Sequence, residues 1–266
     1  MPVIILMRLV VLGVLVASSC RGSSPSPRAG SGDSFHSPAV ALPVSVDLRQ
    51  TLVDLGLSPR AQGARGTCSI FTTCSAIEFA HARQTGQPVR LSPEFMNWAA
   101  GQAAGHPSDG NFFHNALAGL AQYGVCRESA MPYEPAFDAT RRPTPEARAD
   151  ADALHKQSLG TLVVHWIVPW QPDHFGVSDE QFAEIRRVLA SGYPVAAGSG
   201  HSRLLVGYRV DQAQPGGGVF YTEDSALHRF DEVTFEFVRS QVADVFWVEA
   251  TAVLPGDGTQ SDPRTR

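Results

Sequence analysis

Gln62-Gly63-Ala64-Arg65-Gly66-Thr67-Cys68-Ser69-Ile70-Phe71 places a glutamine six residues ahead of a cysteine that opens a predicted helix. A helix N-terminus directs unpaired N–H groups and a partial positive charge at its first residues, which lowers a thiol's pKa there. A glutamine one loop upstream can aim its side-chain amide at an oxyanion formed beside that sulfur. Gln62 and Cys68 therefore read as an oxyanion donor and a nucleophile that lack only a base.

The base is offered far downstream. His201-Ser202-Arg203-Leu204-Leu205-Val206-Gly207-Tyr208 puts a histidine at the mouth of an apolar strand. A second strand, Val219-Phe220-Tyr221-Thr222, delivers Glu223-Asp224-Ser225 at its end. A carboxylate there can accept from the imidazole N–H and fix the ring's orientation. Each element alone is weak, because a lone histidine or an Asp-Ser turn is ordinarily structural. The joint order Gln62, Cys68, His201, Asp224, each at an element boundary, is far more specific.

The elements between them fall into two groups. Apolar spacing predicts a buried helix over residues 67–83, stopping before Gly86. Ser92-Pro93-Glu94 is a capping residue followed by proline at the first helical position, and predicts a helix over 93–103. A third helix is predicted over 110–123, closed by Gly124. Residues 140–156 are polar and read as the seam between halves. Strands are then predicted over 161–168, 194–197, 204–210, 219–222 and 245–250, interrupted by one helix over 178–189 that starts from a Ser-x-x-Gln capping box. The expected fold is α+β: a helical half, about 50–140, packed against a strand-rich half, about 157–255, with the reactive cleft between them.

The chain has 266 residues, 43% of them hydrophobic, which suits a folded globular protein. A formal net charge of −5 and scattered arginines, with Lys156 the sole lysine, give no reason to expect nucleic acid. Cysteine and histidine are too dispersed for a zinc site with close ligand pairs, and the reading calls for no metal or cofactor. Leu9-Val10-Val11-Leu12-Gly13-Val14-Leu15-Val16-Ala17 is apolar but shorter than the roughly twenty residues a membrane span needs. It is followed by Ser18-Ser19-Cys20, and Met7-Arg8 would make a tidier start than Met1. Residues 1–20 are expected to be a signal segment, 21–42 a flexible linker, 43–255 the folded domain and 256–266 a loose tail. Of the remaining cysteines, Cys74 and Cys126 are either a disulfide pair or two buried thiols.

The segment ending at Cys20 resembles a bacterial lipoprotein signal, which implies export and a lipid anchor on Cys20; plain secretion is the alternative. From Val46 to Ala250 the chain resembles the papain-like cysteine peptidases, particularly their bacterial members. Val46-Asp47-Leu48-Arg49 is similar to the start of the mature domain, Leu91-Ser92-Pro93-Glu94 to the start of the second helix, and Tyr123-Gly124-Val125 through Met131-Pro132-Tyr133 to a "YG…PY" rhythm. The resemblance implies that Cys68 is the nucleophile, His201 the base, Asp224 the orienting residue and Gln62 the oxyanion donor. It also implies that Asp109 and Gly110 bind substrate backbone, and that the partner is a peptide or protein substrate.

Three departures matter. The tryptophan usual after the nucleophile is Ser69. The family's asparagine is matched by Asp224, and the tryptophan two residues on is Ala226, so Asp224 is expected to be more open to water. The stretch from Pro194 to His201 is short, which is expected to open one wall of the cleft. Leader-trimming peptidases, acyl transferases using the same residues, and a catalytically silent peptide-binding module remain the alternatives. Only about 25 residues separate Cys20 from Val46, too few for a folded inhibitory proregion.

Overall fold

The structure, a computed structural model, describes residues 41–250. The expected signal segment with Cys20, most of the linker and the tail lie outside the described residues. Seven helices and seven strands follow in the order β1 (Ser45–Asp47), α1 (Arg49–Asp54), α2 (Cys68–Thr85), α3 (Pro93–Ala104), α4 (Phe113–Tyr123), α5 (Pro145–Gln157), β2 (Leu162–Val168), α6 (Asp179–Ala190), β3 (Val195–Gly198), β4 (Arg203–Val210), β5 (Gly218–Asp224), β6 (Arg229–Thr234), α7 (Phe235–Gln241) and β7 (Asp244–Ala250). All strand pairs are antiparallel, in the order β2-β7-β3-β4-β5-β6, with β1 added to β4.

Alternation along the strands divides the core in two. Ala196, Leu204, Val206, Phe246 and Val248 pack towards the helical half, among Ile70, Cys74, Ile77, Phe95 and Phe113. Their neighbours Val195, Ala197, Leu205 and Val245 face the other way, joined by Tyr208 beyond the irregularity that shifts the β4 register between Leu205 and Gly207, against Phe182, Ile185 and Leu189 of α6 and Phe235 and Val238 of α7. Side chains that alternate across a sheet make this division unavoidable once both faces are covered. Each fully buried Leu, Ile or Phe contributes about 1.5–3 kcal/mol. Gly207, at φ +152, allows β1 to cross: a Cβ there would lie 2.2 Å from the Val46 carbonyl oxygen.

Helix α2 is buried on every side from Ser69 to Ala82, as a helix threaded between two layers must be. Its one carboxylate in that run, Glu78, is held by Arg60 at 2.7 Å, Arg90 at 3.0 Å and the Leu91 N–H at 2.7 Å. Burial raises its pKa, and the two guanidiniums supply the opposing charge that a buried carboxylate needs. Cys74 and Cys126 are both free and buried, so the structure has them as thiols.

Several predicted elements are corrected. The polar stretch read as a seam contains α5, started by Thr144, whose hydroxyl accepts from the Ala147 N–H at 3.2 Å, with Pro145 at the first helical position. The third helix begins at Phe113 and not at residue 110, because the Gly110 N–H is spent on Asn97 and its φ is +89. Strands β1 and β6 and helices α1 and α7 were not predicted.

Candidate active site

Cys68 is the first residue of α2 and His201 lies just before β4, so the helix N-terminus and the sheet bring the two together. The Ser202 N–H donates to the Cys68 sulfur at 3.5 Å, and the His201 imidazole lies close enough to lower the thiol's pKa. Burial works against the thiolate, yet these two donors and the imidazolium charge outweigh it and hold Cys68 below the ordinary thiol value. His201 is raised, chiefly by its hydrogen bond to Cys68 and then, against the cost of burial, by Asp224.

Asp224 ends β5. Its Oδ1 and Oδ2 lie 2.9 and 3.0 Å from His201 Nε2, leaving Nδ1 as the nitrogen available to Cys68. The backbone N–H groups of Ala226 and Leu227 donate to Oδ1 at 2.9 and 3.1 Å. Arg203 Nε donates to Oδ2 at 3.0 Å. Burial opposes the charge, but these contacts, led by His201, keep the carboxyl below its usual value. The expectation that loss of the tryptophan opens Asp224 to water is corrected: its side chain is 1% exposed. Arg203 covers it, with its guanidinium 5.7 Å from the Phe237 ring.

Gln62 is 7% exposed and held at both ends of its amide. Its Nε2 donates to the Arg65 carbonyl at 2.7 Å, and its Oε1 accepts from the Ser225 hydroxyl at 2.7 Å. One N–H on Nε2 is thus committed and the second remains. The Gln62 backbone N–H also donates to the Ser225 carbonyl at 3.0 Å. The end of β5 therefore fixes two predicted site residues at once: Asp224 meets His201, and Ser225 meets Gln62.

The loop before Cys68 is clamped to α3 and to the segment before α4. Arg65 pairs with Glu94 at 2.6 Å and Asp109 at 2.8 Å, and donates to the Glu134 carbonyl at 3.0 Å. Thr67 Oγ1 and Tyr133 Oη are 2.6 Å apart, and the Tyr133 hydroxyl also lies 2.9 Å from the Gln62 carbonyl oxygen. Gly110 packs its backbone against Gly66: a Cβ on Gly110 would lie 1.9 Å from the Gly66 carbonyl oxygen. Its N–H donates to Asn97 Oδ1 at 2.9 Å, and its carbonyl accepts from Ser108. Asp109, through Arg65, and Gly110, through its packing on Gly66, also brace the cysteine loop. The neighbouring Asn111 and Phe112 face the cavity.

A cavity of about 480 Å³ opens beside Cys68. Where the chain is shortened before His201, Gly198, Ser199 and Gly200 present no large side chain. The loop after β2 contributes Trp170, His174 and Phe175 instead. The Trp170 ring lies 5.3 Å from Phe112 and 5.2 Å from His114. Arg65, Arg203, Ser225 and this loop carried no signal that singled them out in the sequence. Their partners are distant along the chain, and only the order of strands brings them near.

The papain family cysteine protease profile matches residues 42–222. No curated protein matches the chain. Among solved structures, xylellain, a cysteine protease from Xylella fastidiosa, is similar at a TM-score of 0.59 and 16% identity, over 79% of this chain and 87% of that one. Digestive procathepsin L 3 of the Tenebrio molitor larval midgut is similar at a TM-score of 0.57 and 18% identity, over 79% of this chain and 70% of that one. At such identities the likeness shows the fold. The profile covers most of the chain, and the chain belongs to the papain family of cysteine proteases.

Proposed function

We propose that this protein is a thiol peptidase in which Cys68, His201 and Asp224 carry the reaction and Gln62 supports the oxyanion. The observation that carries the reading is the Asp224–His201 hydrogen bond together with a thiol that His201 holds below its ordinary pKa. The thiolate attacks a peptide carbonyl carbon, forming a C–S bond as the carbonyl electrons move to oxygen. The remaining Gln62 N–H and the N–H groups at the start of α2 stabilise that oxyanion. The tetrahedral intermediate collapses, the C–N bond breaks, and His201 gives its proton to the leaving amine. His201, now neutral, takes a proton from water, which attacks the thioester and releases the acid. Asp224 holds the ring in one orientation through both steps.

The Leu9-to-Cys20 signal pattern supports export with a lipid anchor on Cys20, a tether over 21–42 and a folded domain over 43–255. Hydrolysis of an unstructured peptide and labelling by an epoxide thiol probe test the central reading. Wild-type protein is expected to do both and Cys68→Ala neither. Folded, reduced wild-type protein inert in both assays would leave a silent peptide-binding module as the better account.

A further inference from the structure

A serine or threonine stands immediately before each of α2, α3, α5, α6 and α7, but only four of the five cap their helix. Ser92, Thr144, Ser178 and Thr234 sit extended, at ψ 111, 164, 167 and 157, and each side chain accepts from the third N–H of its helix. Thr67, just before Cys68, sits at φ −97 and ψ 23 and makes no side-chain cap. Its hydroxyl, fully buried, meets Tyr133 Oη at 2.6 Å instead. The Tyr133 hydroxyl also lies 2.9 Å from the Gln62 carbonyl oxygen. A carbonyl only accepts, so Tyr133 gives its one proton to Gln62 and takes one from Thr67.

Tyr133 is itself aimed by its surroundings. Its ring meets Phe71 edge-on at 4.9 Å, and the Arg65 guanidinium lies 4.6 Å from the ring centre. Arg65 is tied in turn to Glu94 and Asp109. Burial lifts the phenol above its ordinary value, so it keeps the proton it donates.

We infer that Tyr133 is a positioning residue for the oxyanion site, acting through Thr67 and Gln62. By holding the Thr67 hydroxyl it keeps that side chain off the first N–H groups of α2, which stay open to an oxyanion beside Cys68. By holding Thr67 and the Gln62 carbonyl together it also sets the direction in which the loop leaves α2, and so the place of the Gln62 amide relative to Cys68. A capped α2 would be the more stable helix and the poorer catalyst: capping needs an extended Thr67, which would redirect that loop. This rests on the reading of Cys68 as the peptidase nucleophile and adds the residue that keeps its oxyanion site open.

The test is kinetic. Tyr133→Phe removes the hydroxyl and keeps the ring between Phe71 and Arg65. It is expected to lower kcat about tenfold, the size of one hydrogen bond, with KM near wild type. Alkylation of Cys68 by iodoacetamide forms no oxyanion, so its rate is expected to stay near wild type, which also shows that the site is folded. In Tyr133→Phe the Thr67 hydroxyl is released to cap α2. Adding Thr67→Val removes that hydroxyl and is expected to restore part of the lost kcat, whereas a merely structural Tyr133 would make the double variant worse than the single. Unchanged kcat in Tyr133→Phe, a loss confined to KM, alkylation slowed as far as cleavage, or a double variant no faster than Tyr133→Phe would each overturn the inference in a protein that cleaves peptides. Wild-type protein that alkylates at Cys68 yet cleaves no peptide is a separate failure: it removes the peptidase reading, and this inference with it.

Discussion

Arg203 donates from Nε to Asp224 Oδ2 across 3.0 Å, covering the carboxylate where other members of the family use a tryptophan. Its Nη1 also donates to the His201 carbonyl at 3.2 Å, so one guanidinium touches both the Asp224 carboxylate and the His201 backbone. A lone aspartate would bind the imidazolium proton more tightly than the amide usual in the family. With Arg203 beside it, the pair presents less net charge to His201 and comes closer to that amide.

Replacing Arg203 by methionine is therefore expected to raise the His201 pKa and move the alkaline limb of the kcat/KM profile upward. Activity should fall about tenfold to a hundredfold, the worth of a hydrogen bond to a charged group. Asp224→Asn in the same background should recover part of the loss, because the uncompensated charge is gone. An alkaline limb that stays in place in Arg203→Met, or no recovery in the double variant, would show that Arg203 only fills space.

Gln62 and Ser225 form a second pair, joined at 2.7 Å. Gln62→Ala is expected to lower kcat by roughly a hundredfold or more, as loss of an oxyanion donor does. Ser225→Ala removes one of the two contacts that hold the amide and leaves the one to the Arg65 carbonyl, so its effect should be smaller and also fall on kcat. Steady-state kinetics separating kcat from KM decides this; a change confined to KM in both variants would rule out an oxyanion role.

Glu223 sits next to Asp224 in β5, accepts from Ser75 at 2.9 Å and leaves Oε2 without a partner. Burial lifts its carboxyl from 4.5 to about 7. The folded state then holds a proton that the unfolded state releases, so stability falls as pH rises from about 4.5 through 7. Glu223→Gln should stabilise the fold by something on the order of 3 kcal/mol at pH 8 and by little near pH 4.5. Thermal melts of both proteins at the two pH values test it; a gap of equal size at both would show that ionisation is not the cause.

Gly110 is at φ +89 with the Gly66 carbonyl where a Cβ would go. Gly110→Ala should cost on the order of 3 kcal/mol or more through backbone strain and overpacking, and displace the loop that carries Cys68. Gly200, with nothing within 4 Å of its Cβ position, is the control. Gly200→Ala is expected to leave the melting temperature near wild type; two alanine variants that melt alike would show that the Gly66–Gly110 contact is not tight.

Much of this was legible in the residues. Ser92-Pro93-Glu94 caps α3 as read, with the Ser92 hydroxyl accepting from the Phe95 N–H at 2.9 Å. Ser178 and Gln181 form the expected capping box. Thr144-Pro145-Glu146 carries the same type of signal, but the apolar stripe of α5 that should confirm it is narrow: only Ala147, Ala151 and Leu154 are buried. Strand β6 has no legible pattern, because its residues are partly exposed and polar, without clean alternation. At the site, the order Gln62, Cys68, His201, Asp224 could be read because Cys68, His201 and Asp224 fall at or next to element ends and Gln62 lies in the loop leading to Cys68. Arg203 on Asp224 and Ser225 on Gln62 could not, because each pairing is set by strand register and backbone approach, which no local pattern encodes.

The most direct test of the account is the pH dependence of Cys68 alkylation by iodoacetamide, measured in wild type and His201→Ala. An imidazole-stabilised thiolate predicts rapid alkylation of wild type well below pH 7, with the reactive form lost in His201→Ala. Alkylation that follows an ordinary thiol, near pH 8.5, in both proteins would contradict the account.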